Sequence, residues 1–413
     1  MVLRNLASIK MTWFRLLLAS GLLAGSTGWS DQTEQSLTAA FAIAKPGEVV
    51  EIDGGTYAEL ALADMAFPIG QPLVIRPADP SNPPRFTGMT LRSVRNVVVE
   101  GMIFQHAAAP DQPEDRSFSV RDSHEVVIRN NLFEGNSDGD GHGMGVGFYS
   151  RQNSSLRFEG NEVRGFLRGA MFVRTDGVAV LSNDLHDLRS DGLNFIQVTD
   201  AQIEGNLIHD FRKKPGSGDH ADMIQFWTAG TEAPSVNITI RDNLLLAGAG
   251  GWTQSIFMRN ERVDQGQAGD EMFYRDVTIE GNLIVNAHLH GITVGETEGL
   301  VIRNNTVVRN PAAEGREANP DLWTPGIRVR GGAREVAILD NVTGALALPN
   351  PLPADWRVTG NLMVQDRSRL EPAFYGTVFA GHDAMDPASF RPLPGGPLDG
   401  TGVGSPLPGA FAE

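Results

Sequence analysis

Val178-Ala-Val-Leu-Ser-Asn-Asp-Leu185 is followed, 23 residues on, by Ala201-Gln-Ile-Glu-Gly-Asn-Leu-Ile208. Both read apolar, any, apolar, any, any, Asn, any, apolar. Apolar positions at a period of two mark a strand with one buried face. The Asn comes just after the strand, where the chain must turn. Asn tolerates left-handed geometry and bonds its own turn backbone, and stacked Asn side chains can bond one another along an axis.

The pattern recurs outward in both directions. Its Asn positions are Asn131, Asn161, Asn183, Asn206, Asn243, Asn282, Asn305 and Asn361, with a weaker copy at Asn341 and an early one carrying Met102 instead. A basal unit of 22–23 residues with insertions fits a coil of a parallel β-helix, in which insertions become loops on one side. The expected fold is all-β, a right-handed parallel β-helix of about ten coils over residues 31–380. A second strand type lies within each coil, as in Gly192-Leu-Asn-Phe-Ile-Gln197 and Met223-Ile-Gln-Phe-Trp-Thr228. Residues 33–44 suggest a short amphipathic helix with Leu37, Phe41 and Ile43 covering the first coil, and the Pro- and Gly-rich residues 381–413 suggest a cap or tail.

Composition narrows the partners. The 413 residues carry 50 acidic and 34 basic side chains, a net charge of −16, which disfavours nucleic acid. An acidic protein still binds an acidic polymer through a local basic patch or a bridging Ca²⁺. Lysine is confined to Lys10, Lys45, Lys213 and Lys214, and Cys is absent. Arg4, Lys10 and Arg15 precede the apolar run Leu16-Leu-Leu-Ala-Ser-Gly-Leu-Leu23, so residues 1–30 read as a secretory signal, the alternative being a retained anchor. The expected product is a monomer, secreted or periplasmic, with no membrane span after signal removal.

The segment Ser36-Leu-Thr-Ala-Ala-Phe-Ala-Ile-Ala-Lys-Pro-Gly-Glu-Val-Val-Glu-Ile-Asp-Gly-Gly-Thr-Tyr57 resembles the entry to pectin-lyase-like β-helix proteins. It is most similar to the chondroitinase-B and alginate-lyase group, and the Asn-bearing coils resemble the same superfamily over residues 36–370. That resemblance implies a carbohydrate-active protein without choosing among lyases, hydrolases, C5-epimerases and esterases.

Registering the second strand type predicts outward columns. One reads Gly145, Met171, Asn194, Gln225, Phe257, Thr293, Arg328. The next reads Val173, Ile196, Trp227, Arg259, Gly295, Arg330, and the preceding corner reads His142, Arg168, Asp191, Asp222, Gln254, His290, Pro325. Members of a column on successive coils should lie roughly 5 Å apart. Beside them runs the insertion His209-Asp-Phe-Arg-Lys-Lys-Pro-Gly-Ser-Gly-Asp-His-Ala-Asp222, which holds the sole lysine pair.

The candidate catalytic residues are therefore Asp191, Asp222, His220, Lys213, Lys214 and Arg259. Asn194, Gln225, Trp227, Arg168, His209 and Asp219 are candidates for binding substrate, and Asp191 with Asp222 for holding a Ca²⁺. Each also has a plain structural alternative as a turn cap, loop tip or surface ion pair. Gly141-His-Gly143 is similar to a polygalacturonase stretch, yet it precedes the aspartates instead of following them, and reads as a coil turn. Asp219-His-Ala-Asp222 is loosely similar to the Asp-Pro-His-Asp motif of alginate C5-epimerases, without its proline. The Asn-Lys-Glu pattern of a chondroitinase-B-type calcium site is not evident.

These residues suggest a polysaccharide lyase first, with uronate neutralised by Arg259, Gln225 or Ca²⁺ and His220 or a lysine as base. A C5-epimerase, a hydrolase using Asp191 and Asp222 as acid and base, and a non-catalytic glycan-binding solenoid are the alternatives.

Overall fold

The computed structural model describes residues 37–410 except 38, 110, 249–252, 311–318 and 385. The predicted signal lies outside the described residues. All strand pairings within the named strands are parallel, and they build three walls around one apolar core. The first wall is a twelve-stranded sheet from Val49–Ile52 to Arg357–Thr359, made of the strands that precede each ladder Asn. The second holds the second strand type, such as Leu193–Ile196 and Asp222–Trp227. The third holds two- to four-residue strands such as Asp184–His186 and Leu207–His209. Strand Arg85–Arg92 pairs with both Ile103–Gln105 and Phe118–Arg121, which joins the second and third walls.

The core follows from alternation. Phe172, Phe195 and Phe226 point inward from three successive coils, with ring centroids 5.2 and 4.8 Å apart. Such offset stacking adds to burial.

The predicted Asn ladder is present. Asn243 shows its unit: the backbone N–H and Nδ2 both donate to Asn282 Oδ1, at 3.0 and 2.9 Å, and Nδ2 also donates to the Ile203 carbonyl at 3.0 Å. Asn243 Oδ1 in turn accepts from the backbone N and Nδ2 of Asn206. The chain of bonds runs from the Met102 N–H to Asn361. One detail differs from expectation. The left-handed residue is the one before each Asn, as at Ser182 (φ 53°) and Gly205 (φ 66°). The ladder Asn is spared that conformation, and its amide is free to run along the axis.

On the outer face of the first wall, opposite charges sit on neighbouring strands. Glu51 pairs with Arg76 at 2.7 Å, Glu204 with Arg241 at 2.8 Å and Glu280 with Arg303 at 2.5 Å. Exposed pairs of this kind add little each, but they remove like-charge repulsion between strands.

At the N-terminal end, Phe41 is buried and Leu37 packs beside it, whereas Ile43 is exposed, so only two of the three predicted covering residues cover the core. Trp356 is buried at the other end and donates its indole N–H to the Ala333 carbonyl at 3.0 Å. The tail runs along the side of the solenoid. Tyr375, Val378, Phe379, Phe390, Leu398 and Leu407 pack on Leu244, Leu246, Leu283, Val285, Val308 and Val342, which face outward from the third wall. Ser405 Oγ donates to the Gly281 carbonyl at 2.6 Å. Among the described residues no helix is long and apolar enough to cross a membrane.

Candidate active site

Asp191 and Asp222 are neighbours on the second wall: Gly192 N–H donates to the Asp222 carbonyl at 2.8 Å, and Asp222 N–H reaches Asp191 Oδ1 at 3.3 Å. Asp222 pairs with Gln254 in the next coil, as the predicted corner column required. Asn194, Gln225 and Phe257 share a register, and so do Val173, Ile196 and Trp227. The column is displaced at its first coil. Tyr149, not Gly145, lies beside Met171, and Val146, not His142, lies beside Arg168, because residues 136–145 bulge out before the strand begins. At the far end a register shift sets His290 beside Gly326 instead of Pro325.

Both aspartates are buried, and they differ in support. Asp191 receives Arg168 Nε at 3.0 Å and Ser190 Oγ at 3.2 Å. Neither carboxylate oxygen of Asp222 has a hydrogen-bond partner among the described residues. Burial raises Asp191 above the ordinary carboxylate range against the pull of Arg168. Burial, together with the Asp191 charge, raises Asp222 much further, and Lys213 only partly offsets it. Burial and the neighbouring charge therefore disfavour ionisation at Asp222 more than at Asp191. Asn194 Oδ1 and Gln254 Oε1 are also buried without hydrogen-bond partners among the described residues.

This arrangement predicts a gain in stability for Asp222→Asn, which removes a buried carboxyl whose charged form desolvation and Asp191 penalise. A raised folded-state pKa means that the fold loses stability as pH climbs above the unfolded carboxylate value. The substitution is thus expected to raise Tm by several degrees at pH 8 and by little at pH 4. Equal shifts at both values in thermal melts would contradict this assignment.

The same two carboxylates do not fit a calcium cradle. Arg168, Ser190 and a backbone N–H already occupy Asp191, which leaves a single open carboxylate. No group of three His, Asp or Glu side chains placed for a metal occurs among the described residues, whereas Ca²⁺ takes six to eight oxygens.

The insertion divides its residues between roles. Lys214 Nζ pairs with Asp138 Oδ2 at 2.8 Å, and the Arg212 carbonyl contacts His142 Nδ1 at 2.9 Å, so this end is tied to the turn containing Gly141-His-Gly143. Asp219 is held by Arg189 Nε at 2.8 Å. Lys213 forms no ion pair or hydrogen bond among the described residues, and its charge acts on Asp222 and His288. His220 is exposed, with Nδ1 3.4 Å from Gln254 Nε2.

His209 lies elsewhere. It ends a strand of the third wall, stacks on His186 with ring centroids 5.0 Å apart, and contacts Asp210 at 2.7 Å and Asp184 at 3.0 Å. Despite burial, these carboxylates raise its pKa to about 9. A raised histidine stabilises the fold below the unfolded value near 6.5, and the effect is lost as pH rises through 9. His209→Ala is expected to cost about 2 kcal/mol at pH 6 after allowance for screening, and far less at pH 9.5. Denaturant titrations at the two pH values check this.

Next to the aspartates along the same wall lies a cleft of 640 Å³, lined by Phe257, Arg259, His290, Thr293, Arg328 and Arg330 among others. Arg259 and Arg330 share Asp264, at 3.0 and 3.8 Å, while Arg328 has no ion pair among the described residues. His290 Nδ1 contacts Thr293 Oγ1 at 2.7 Å, and its ring stacks with His288, centroids 5.1 Å apart. The His290 backbone N–H donates to His288 Nδ1 at 3.1 Å, which makes that nitrogen an acceptor. Desolvation, helped by Arg328 and Arg330, lowers His290 to about 4; desolvation and then the His290 charge lower His288 to about 3. Both imidazoles are neutral near pH 7. Sequence reasoning placed His290 in the corner column without giving it a chemical role. The signal available was His288-Leu-His290 one coil beyond Gln254.

The molecule is a solenoid of parallel coils with a cationic, imidazole-bearing cleft on one wall. Residues 144–343 match the family model for the right-handed β-helix region. The chain is a right-handed parallel β-helix. Among solved structures it is similar to the Dettilon tailspike protein, at 13% identity and a TM-score of 0.51 over 88% of this chain and 71% of that one. It is also similar to an alginate lyase from Paenibacillus sp. FPU-7 (12% identity, TM-score 0.44, 72% and 96% covered). A third is the polygalacturonase of Erwinia carotovora (10%, 0.40, 84% and 95%). At these identities the likeness speaks for the fold. No curated protein matches the sequence.

Proposed function

We propose that this protein cleaves an acidic, uronate-containing polysaccharide by β-elimination in the cleft beside His290. The observation that carries this reading is the cleft itself. In a chain of net charge −16 it gathers three arginines around an imidazole that stays neutral at pH 7.

β-Elimination needs the uronate carboxylate neutralised, the C5 proton removed and the leaving oxygen protonated. Arg328, which has no ion pair among the described residues, supplies the first, with Arg330 and Arg259 lining the same cleft. A neutral imidazole accepts a proton where an imidazolium cannot, so His290 is the base. The C5–H electron pair then forms the C4=C5 double bond as the C4–O bond breaks. His220 and Lys213, whose charges act on His290 and His288 respectively, are the groups assigned to protonate the leaving oxygen. Among the six catalytic candidates read from sequence, Arg259, Lys213 and His220 keep a part in this scheme. Lys214 is engaged with Asp138, and Asp191 and Asp222 are sealed under the wall.

The alternative of hydrolysis keeps one supporting observation, the two adjacent aspartates, both raised above the ordinary carboxylate range. Their burial argues against direct contact with a glycosidic oxygen. A panel of alginate, pectate and glycosaminoglycan substrates separates the readings. Growth of the ultraviolet absorbance of an unsaturated uronate is expected. Reducing sugar released without that absorbance would favour the hydrolase.

A further inference from the structure

The second wall carries another cationic feature, remote from the cleft. Strand pairing sets Arg92 beside Arg121 and Arg121 beside Arg151 in one register column. The column then continues as Val173, Ile196 and Trp227 before it reaches the cleft. All three arginines are exposed, and none has a carboxylate within ion-pair distance among the described residues. Arg121 lies over the Tyr149 ring at 5.4 Å, with Arg116 over the same ring at 4.5 Å, and Arg151 Nε donates to Gln152 Oε1 at 3.1 Å.

The contrast with the first wall gives this stack its meaning. There Glu51, Glu204 and Glu280 stand opposite arginines on the next strand. Acidic residues outnumber basic ones 50 to 34, so partners were available. Like charges directly opposite on neighbouring strands repel, and here three stand in line with the repulsion unrelieved. Such a row is relieved by an anionic ligand whose charges repeat along the solenoid axis. Coil rise is about 4.8 Å, close to the advance per sugar in an extended glycan, so an acidic glycan laid along the axis offers one carboxylate per arginine.

We infer that Arg92, Arg121 and Arg151 form an anchoring surface for the same acidic polysaccharide, separate from the site of cleavage. The half-buried Trp227 and the apolar Val173 and Ile196 bridge the two charged regions, which lie about four coil steps, or roughly 19 Å, apart from Arg151 to Arg259. A chain of several sugars then engages both, and a short oligosaccharide engages only one. The inference shares its substrate class with the proposed function but not its chemistry.

The test uses the triple variant Arg92→Gln, Arg121→Gln, Arg151→Gln, with Arg121→Glu as a second variant and His290→Ala as a control. Binding to polygalacturonate and alginate is measured by affinity electrophoresis and calorimetry at several salt concentrations. The triple variant is expected to bind both polymers at least tenfold more weakly, with a shallower salt dependence. It should handle uronate trisaccharides as the wild type does, and Arg121→Glu should weaken polymer binding further than Arg121→Gln alone. His290→Ala should bind polymer normally. Polymer binding by the triple variant equal to wild type overturns the inference, as does a wild type that binds no polyuronate or prefers double-stranded DNA. If wild type binds polyuronate through these arginines yet yields no unsaturated product, the cleavage reading fails and the anchoring surface stands.

Discussion

Alanine in place of His290 is expected to lower the rate of unsaturated-uronate formation by roughly 10²–10⁴-fold, the usual contribution of a positioned general base. The fold should be unaffected, because the imidazole lies on the cleft wall and its one side-chain hydrogen bond among the described residues is to Thr293. The pH profile carries independent information. His290 titrates at about 4, so the active unprotonated form persists well below neutrality and activity should fall only as pH approaches that value. A base with an ordinary histidine pKa would instead lose activity near 6.5. Arg328→Ala should act differently, raising KM along with lowering kcat, since a guanidinium on the carboxylate binds the ground state and also stabilises the charge that builds there in the transition state. Arg328→Lys should recover part of the loss because the charge survives without the two-pronged geometry. A His290→Ala variant of undiminished rate would sink the mechanism.

The second large effect is on stability. Asn243→Ala is expected to cost about 3–5 kcal/mol, from buried hydrogen-bond partners left unsatisfied at 1–3 kcal/mol each plus a small cavity. The backbone N–H of Asn206 loses its acceptor, and the Ile203 carbonyl loses its side-chain donor, both in fully dry surroundings. Asn361→Ala provides the comparison. It holds the same place at the last rung, accepts from Asn341 and donates to Ile338, but is partly exposed. Water can replace what it loses, so its cost should stay near 1 kcal/mol. Urea unfolding of both variants measures the gap, and similar values for the two would mean that the ladder does not stabilise by dry hydrogen bonding.

The fold was legible because its period is written in local pattern. Strand alternation and the recurring Asn identify the coil without any long-range information, and counting from Asn183 or Asn206 puts Asp191 and Asp222 on neighbouring rungs. Counting failed where a loop intervened. The bulge at residues 136–145 shifted the register of Tyr149, and no local signal gives the length of a bulge. His209 was grouped with the insertion it precedes in sequence, yet it closes a short strand, and a strand of three residues leaves too little pattern to assign its side chain to a wall. Lys213 and Lys214 are consecutive and diverge, one toward Asp222 and the other to Asp138. The role of His290 was hidden for another reason: its basicity is set by desolvation and by Arg328 and Arg330, more than 30 positions away, and composition cannot report that.

The lateral packing of the tail bears on how the molecule is made. Coils can close one after another as a chain emerges N-terminus first. The outward leucines and valines from Leu244 to Val342 nevertheless have no cover until Tyr375 to Leu407 arrive. A nascent or truncated chain ending near residue 370 would display a greasy strip along several finished turns, an invitation to chaperones or to a neighbouring copy. The segment from Tyr375 to Leu407 thus serves as a splint that closes this strip along the finished turns.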